Sequence, residues 1–152
     1  NNSLSYKGFE LSVFLQGIAG NKIYNANNID NTGMAAAYNQ TTDVLKRWQG
    51  EGTSNSMPRA VFGDPNQNTR VSDRFVENGS YLRLKNITLS YTFPKQWLQK
   101  AQIENARLSL SCENVATITG YSGFDPEVGI NGIDQNRYPI SRTFSLGLNF
   151  NF

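Results

Sequence analysis

Histidine is absent from this chain of 152 residues, and cysteine occurs once, at Cys112. Without histidine, neither a Ser-His-Asp nor a Cys-His nucleophilic arrangement can form, and the commonest zinc ligand is missing. A single cysteine forms no disulfide within the chain. No glycine-rich phosphate-binding pattern stands between a strand and a helix. The sequence therefore argues against an enzyme, and no cofactor is expected.

Charged residues and long apolar runs are also scarce. Asp, Glu, Lys and Arg make up 17% of the chain, against about a quarter in typical soluble domains. The net charge of +2 is too small to favour a nucleic-acid partner. No apolar run reaches the roughly 18 residues of a membrane-spanning helix. Asn1 is not an initiator and no signal peptide follows it, so we expect a processed chain or a piece of a longer one.

The last residues of the chain alternate between large apolar and small or polar side chains. The apolar set is Phe144, Leu146, Leu148, Phe150 and Phe152. A period of two predicts a strand with one apolar face, and its length is close to the roughly 9 to 11 residues of a tilted transmembrane strand. A soluble sheet with one buried face would alternate in the same way. The terminal aromatic residue favours the membrane, because the ends of soluble domains are usually polar and frayed.

Three earlier stretches of the chain show similar alternation. We predict strands at about 5–24, 81–93, 104–117 and 140–152, joined by outer loops at about 25–80 and 118–139. Within the second strand the apolar positions slip by one near Lys85 and Asn86, which predicts either a β-bulge or an exit of the strand from the membrane above that point. Four strands cannot close a barrel, since about eight is the smallest number seen. The pattern therefore predicts a segment of an antiparallel, all-β transmembrane barrel with long extracellular loops.

The positions of the charged residues agree with a barrel segment that crosses a membrane. If the last strand ends in the periplasm, Arg83, Lys85 and Arg142 all lie at the outer ends of their strands. There they avoid the roughly 2–4 kcal/mol that a charge facing lipid at mid-membrane costs. The residues that alternate with the apolar ones are predicted to face the lumen. This set comprises Glu10, Ser12, Arg107, Ser109, Ser111 and Glu113.

The first loop is the main difference between a barrel and a soluble alternative. Structureless loops beyond about 15 residues are uncommon in compact soluble domains, whereas barrels have long outer loops. One short helix is predicted at 43–49, with Thr42 or Asp43 as its N-cap. The alternative, a secreted β-sandwich that binds carbohydrate through aromatic loops, requires strands within residues 25–78. The sequence predicts none there.

The second loop contains carboxylates and aromatic side chains with two possible roles each. Paired carboxylates are weak candidates for a calcium site, although their spacing fits no EF-hand and Pro126 indicates a rigid turn. A structural turn or a contact between loops is the favoured role. These carboxylates are Asp125, Glu127 and Asp134. The aromatic residues could stack on sugar rings, but packing onto a lid or onto neighbouring loops is the favoured role. They are Tyr121, Phe124 and Tyr138.

Several blocks of sequence resemble the C-terminal end of SusC/RagA-type TonB-dependent outer-membrane transporters. The resemblance spans nearly the whole chain and keeps the order of the blocks. The blocks are Phe9 to Gly20 with Asn21 to Asn25, Leu45 to Trp48 with Pro58-Arg59, Ser72 to Tyr91, Glu113-Asn114-Val115, Tyr121 to Val128, Gly132 to Asp134, and Arg137-Tyr138-Pro139 leading into Arg142-Thr143-Phe144. The alternating strand that ends in Phe152 also resembles the insertion signal of bacterial outer-membrane barrels. Cys112 and Glu113 depart slightly from the family pattern.

This resemblance implies the last four strands of a barrel of about 22 strands in the outer membrane of a Bacteroidota species. In that family an N-terminal plug closes the barrel and a SusD-like lipoprotein covers it at the cell surface. Such transporters import oligosaccharides or peptides, energised through TonB. The implied partners are therefore the rest of the transporter, the lipoprotein, TonB through a segment outside this sequence, membrane lipid and the substrate.

Overall fold

The computed structural model describes residues 1–152 and divides the chain into two compact units. The first unit contains Asn1–Ala19, Ser80–Gly120 and Pro139–Phe152, and the second contains Gly20–Gly79 and Tyr121–Tyr138. The strands are β1 (Asn2–Tyr6), β2 (Phe9–Ile18), β3 (Lys22–Asn25), β4 (Val76–Asn78), β5 (Tyr81–Thr92), β6 (Asn105–Thr119), β7 (Ile133–Asp134) and β8 (Thr143–Asn151). Two short α-helices are α1 (Asn27–Asn31) and α2 (Lys95–Leu98), and 3-10 turns cover Thr42–Lys46, Asp73–Phe75 and Gln99–Ala101.

The first unit is one antiparallel sheet of five strands in the order β1-β2-β5-β6-β8. The predicted strand at 5–24 is wrong in its extent, because this stretch contains β1, β2 and β3. Lys7 and Gly8 form a two-residue hairpin turn between β1 and β2, with φ of 46° and 88°. Two positive φ angles are typical of a type I′ turn. The prediction did not include this reversal, and the sheet has five strands rather than four.

The predicted slip near Lys85 and Asn86 is confirmed as a bulge. Asn86 pairs with Phe14 while Leu84 pairs with Leu15, which leaves Lys85 as an extra residue in β5. The extra residue returns Leu84 to the same face as Ile87, although the two positions differ in parity. The apolar face of β5 therefore continues past the irregularity.

The second unit contains a small sheet in the order β4-β3-β7. β3 is antiparallel to β4 and parallel to β7. Ile23 and Phe75 form its apolar core and are almost fully buried. Gly79 has no space for a side chain, because an added Cβ would lie 2.6 Å from both Asn21 and Ile23 side-chain atoms. The first loop is thus more ordered than predicted, and β4 lies in the stretch where no strand was expected.

The helix predicted at 43–49 is shorter than expected. It is a single 3-10 turn over Thr42–Lys46, and Thr41 rather than Thr42 or Asp43 is its N-cap residue. The Thr41 side chain makes no capping hydrogen bond there. No helix in the structure is both long enough and apolar enough to span a membrane.

Candidate functional site

One face of the five-stranded sheet is apolar apart from Asn2 at the start of β1. Its central row takes one leucine from each strand, in direct cross-strand register. This leucine row consists of Leu4, Leu11, Leu89, Leu110 and Leu146. Aromatic and leucine side chains form the next row, which consists of Tyr6, Phe9, Tyr91, Leu108 and Leu148.

The side chains of this apolar face are exposed rather than packed in a core. Leu4 and Leu146 at the two edges are each 71% exposed, and the central Leu89 is 44% exposed. A sandwich would bury these side chains against a second sheet, so the alternative predicted from the sequence is wrong on this point. The residues predicted as the insertion signal share the exposure: Phe144, Leu146, Leu148, Phe150 and Phe152 are all exposed. Their role in insertion stays a prediction.

Aromatic rings cluster at the end of the sheet near α2. Phe9 contacts Tyr91 with ring centroids 4.5 Å apart, Tyr91 contacts Phe93 at 5.1 Å, and Phe93 lies 6.4 Å from Trp97. Trp97 is 65% exposed. Aromatic residues concentrate where a membrane meets water, and this cluster occupies one end of the apolar face. The geometry is that expected of a membrane boundary.

The opposite face of the sheet is mainly polar, although it also contains Phe14 and Ile18 of β2. One row across the five strands consists of Ser3, Ser12, Thr88, Ser111 and Ser145. A second contains Glu10, Ser90 and Ser109. The Arg107 guanidinium donates to the Glu10 carboxylate on this face, with Nη2 and Oε2 2.7 Å apart.

All six residues predicted to face a lumen belong to this polar side. Glu113 pairs with Asn86, which follows the same alternation as Thr88 and Ser90. That this side lines a lumen stays a prediction.

A second polar cluster lies beyond the bulge. The Arg83 side chain is 3% exposed; its Nε donates to Thr117 Oγ1 at 2.9 Å, and its guanidinium lies 5.5 Å from the centre of the Tyr81 ring. Gln16 Nε2 in turn donates to the Tyr81 hydroxyl at 3.1 Å. The charge pattern predicts Arg83 at the outer end of its strand, but it does not predict the contacts of Arg83 with Thr117 and Tyr81.

In the second unit, the Glu77 carboxylate joins three segments of chain. Oε1 accepts hydrogen bonds from Asn25 Nδ2 at 2.9 Å, Asn28 Nδ2 at 3.1 Å and Ser122 Oγ at 2.7 Å. Oε2 accepts one from the backbone N–H of Ser122 at 2.9 Å. Hydrogen bonds to an ionised acceptor are stronger than neutral ones. Glu77 therefore fastens the first loop to the second, a role that sequence reasoning did not identify.

The three carboxylates predicted as weak calcium ligands do not form a metal site. No group of three or more His, Cys, Asp or Glu side chains is arranged to hold a metal ion. Asp134 is buried and accepts hydrogen bonds from the Tyr121 hydroxyl at 2.7 Å and the Arg137 N–H at 3.3 Å. Asp125 accepts one from the Glu127 N–H at 2.8 Å across Pro126. Both carboxylates therefore act within turns of the second loop.

The aromatic residues of the second loop differ in accessibility. Phe124 is 76% exposed and Tyr138 is 88% exposed, so both are free to contact another molecule. Tyr121 is buried, and the predicted contacts of all three aromatic residues stay predictions. Burial, together with the hydrogen bond to Asp134, raises the pKa of the Tyr121 hydroxyl well above its ordinary value.

A tight loop in the second unit is organised by Asp64. Its Oδ1 accepts hydrogen bonds from the backbone and side-chain nitrogens of Asn68, and its Oδ2 from the N–H and hydroxyl of Thr69. These distances run from 2.8 to 3.0 Å. Burial alone would raise the pKa of Asp64, but the four hydrogen bonds outweigh it and lower that pKa below 3.8.

The Asp64 loop borders a cavity of about 430 Å³ in the second unit. The cavity is lined by Trp48, by Arg59, Arg70 and Arg74, and by small polar residues, with no carboxylate among them. Sequence reasoning missed it, because the three arginines follow no period and come together only through the turns between them.

Comparison with known proteins gives consistent relatives. No protein-family model matches the chain. TonB-dependent receptor P3 of Formosa agariphila is 35% identical over 163 aligned residues, which cover 100% of this chain and 16% of that protein. TonB-dependent receptor SusC of Bacteroides thetaiotaomicron is 33% identical over 159 residues, covering 99% of this chain and 14% of SusC. These relatives are receptors rather than enzymes.

Solved structures of the RagAB peptide transporter share the fold. One superposes with a TM-score of 0.82 at 30% identity and covers 97% of this chain and 16% of the matched chain. The RagAB importer in its closed-closed state gives 0.83 at 29% identity, with the same coverage. The chain thus spans about one sixth of the length of the proteins it matches.

Proposed function

Since this chain belongs to the SusC/RagA family of TonB-dependent receptors, we propose that it forms part of the barrel wall of an active nutrient importer. As a family member it is located in the bacterial outer membrane. It contributes five neighbouring strands to the wall and two long connections between them. Because the chain is a small fraction of its relatives' length, import is an activity of the complete transporter.

The observation that carries this proposal is the exposed apolar face of the five-stranded sheet. Monomeric soluble proteins rarely expose apolar patches larger than a few hundred Å². Here apolar residues occupy one side of all five strands in register, with the leucine row at the centre. Lipid hydrocarbon is the surrounding that such a face requires, while the serine-rich side faces a water-filled lumen.

The free edges of the sheet support a larger barrel. β1 and β8 each have a neighbour on one side only. Backbone groups at an edge cannot stay without partners inside a bilayer, so the strands must continue around a closed barrel. We propose that the remaining strands and the plug come from the same transporter, outside the residues described here.

The substrate and partners of the complete transporter follow from the family. We propose that it imports oligosaccharides or peptides, works with a SusD-like surface lipoprotein and is energised through TonB. The exposed Phe124 and Tyr138 of the second loop support a surface contact with the lipoprotein or the substrate. The RagAB structures are named for peptide transport. No feature of this chain is specific to a peptide substrate.

Uptake by whole cells tests this proposal. In a Bacteroidota host, deleting the gene for the complete transporter should abolish outer-membrane uptake of its substrate, and restoring the gene should return it. A version truncated after residue 142 lacks β8 and should be absent from the outer-membrane fraction. The intact protein should also change its gel mobility on boiling, as assembled barrels do. Recovery of residues 1–152 as a soluble, monodisperse monomer would contradict the proposal.

A further inference from the structure

The arginine-lined cavity of the second unit has a composition that selects for negative charge. Arg59, Arg70 and Arg74 all line it, and no Asp or Glu does. Neither Arg59 nor Arg70 forms an ion pair within the chain, and both residues are exposed. Two guanidinium groups without a protein counter-charge therefore border an open cavity of about 430 Å³. Arginine is suited to carboxylate and sulfate-like anions because its planar fork can donate two parallel hydrogen bonds.

Arg74 differs from the other two arginines because the chain already uses it. Its Nη2 lies 3.3 Å from the carbonyl oxygen of Thr32 and 2.9 Å from the sulfur of Met57. Burial lowers the pKa of Arg74, and nearby Asp64 opposes that change. Arginine remains charged in proteins even so. Arg74 thus holds the cavity wall in place, and Arg59 and Arg70 remain to bind a ligand.

The rest of the lining is suited to sugar hydroxyls. Trp48 also lines the cavity and is 37% exposed, and an accessible aromatic ring can pack against a sugar ring. Serine and amide side chains supply both donors and acceptors of hydrogen bonds, and they include Ser54, Ser56, Asn55, Asn66 and Gln67. Apolar side chains are few, so the cavity lacks a pocket for the large apolar side chains of a peptide.

We propose that this cavity binds an acidic saccharide, held through its carboxylate or sulfate group by Arg59 and Arg70 and through a sugar ring by Trp48. The inference rests on the proposed import function only in that such a saccharide is then a nutrient of the transporter. Binding itself needs neither TonB nor uptake.

Calorimetric titration of the purified complete transporter in detergent tests the proposal. The probes are hexagalacturonate for carboxylates, a sulfated carrageenan hexasaccharide for sulfates, maltohexaose as the neutral saccharide and hexaglutamate as the acidic peptide. We expect at least one acidic saccharide to bind about tenfold or more tightly than maltohexaose. The carboxylate and sulfate probes distinguish the two sources of charge.

Variants assign this binding to the cavity. Arg59→Gln/Arg70→Gln should weaken the acidic saccharide by at least about tenfold, because two charge-assisted contacts are lost. Both residues are exposed, so the fold should be unaffected. Lys22→Gln/Lys46→Gln removes the same charge from the second unit at exposed positions outside this cavity, and should change the affinity by less than about twofold.

Three results would overturn the proposal. The first is equal affinity for maltohexaose and both acidic saccharides, and the second is an equal loss in the lysine control. The third is hexaglutamate binding as tightly as the saccharides, which would favour an acidic peptide instead. Uptake assays separate the two proposals, because import that persists after any of these results leaves the proposed function standing.

Discussion

Glu10 and Arg107 form an ion pair although their strands are not neighbours. Glu10 belongs to β2 and Arg107 to β6, with β5 between them, yet the carboxylate and guanidinium are 2.7 Å apart. The two side chains reach across the small side chain of Ser90, which is opposite Glu10 in β5. Small residues on the polar face thus leave room for longer charged ones to meet.

The coupling free energy of this ion pair depends on how far the polar face is hydrated. Because the Glu10 and Arg107 side chains are 40% and 43% exposed, we expect a coupling free energy below about 1 kcal/mol. A double-mutant cycle with Glu10→Gln and Arg107→Gln, followed by denaturant unfolding of the complete transporter, measures it. The coupling should fall further as salt rises. A salt-independent coupling of several kcal/mol would mean that this face is dry, against a water-filled lumen.

The two faces of β8 should respond oppositely to an added charge. Leu146→Lys places an ammonium in the leucine row, where a mid-membrane charge costs about 2–4 kcal/mol. Ser145→Lys is the matched control, since it adds the same group one residue away on the polar face. We expect the first variant to be depleted from the outer-membrane fraction and the second to assemble normally. Equal assembly of both would contradict a lipid-facing leucine row.

Glu77 should control the order of both loops. Glu77→Gln replaces a carboxylate that accepts four hydrogen bonds with an amide whose nitrogen cannot accept one. A hydrogen bond to a charged group contributes about 1.5–3 kcal/mol to stability. We therefore expect hydrogen exchange in residues 25–28 and 121–134 to accelerate by about tenfold or more. Glu51→Gln, at an exposed turn, is the control and should leave exchange unchanged. Unaltered exchange in Glu77→Gln would show that other contacts hold the loops.

The Asp64 loop should lose protection in acid. The pKa of Asp64 is lowered in the folded state, so its stabilising contribution is complete above the ordinary value of 3.8 and is lost as pH falls through the lower, folded pKa. The measurement is exchange protection of the Asn68 and Thr69 amides, compared between the wild type and Asp64→Asn.

Protection of these amides should differ between the two proteins at pH 6, and the difference should shrink below about pH 3.8 as the pH approaches the lower, folded pKa of Asp64. Asp30→Asn, which alters an exposed carboxylate, should follow the wild type throughout. A difference between wild type and Asp64→Asn that stays constant down to pH 2 would show that the carboxyl keeps its role when protonated.

The sheet was predictable because one physical rule governs every strand in it. Strands with one apolar face alternate, and the bulge at Lys85 appeared in the sequence as a change of phase. The hairpin at Lys7 and Gly8 was missed because the apolar positions continue in β1 and β2 on either side of it. Gly8 marks that turn, and the apolar positions change from even in β1 to odd in β2. With only Leu4 and Tyr6 before the turn, this change of phase is too short to recognise.

The second unit could not be predicted in the same way. Its strands have two to four residues, too few to show a period. Its order comes from side chains such as Glu77 and Asp64, whose hydrogen-bond partners depend on the fold. The same applies to Tyr121, which looked like an exposed contact residue and is held inside by Asp134. The sequence pattern assigned no binding role to Arg59 or Arg70, because only the turns of the fold bring them to one cavity.

The bulge has a consequence for the circumference of the barrel wall. At that level β2 passes from Phe14 to Leu15 with nothing between, β5 inserts Lys85, and β6 inserts both Asn114 and Val115. The number of inserted residues therefore increases by one from each of these strands to the next. As a result, the register between β6 and β2 differs by two residues between the two sides of the bulge. In a closed barrel, stagger and strand tilt set the diameter together. The strands of this segment should therefore be tilted differently on the two sides of the bulge.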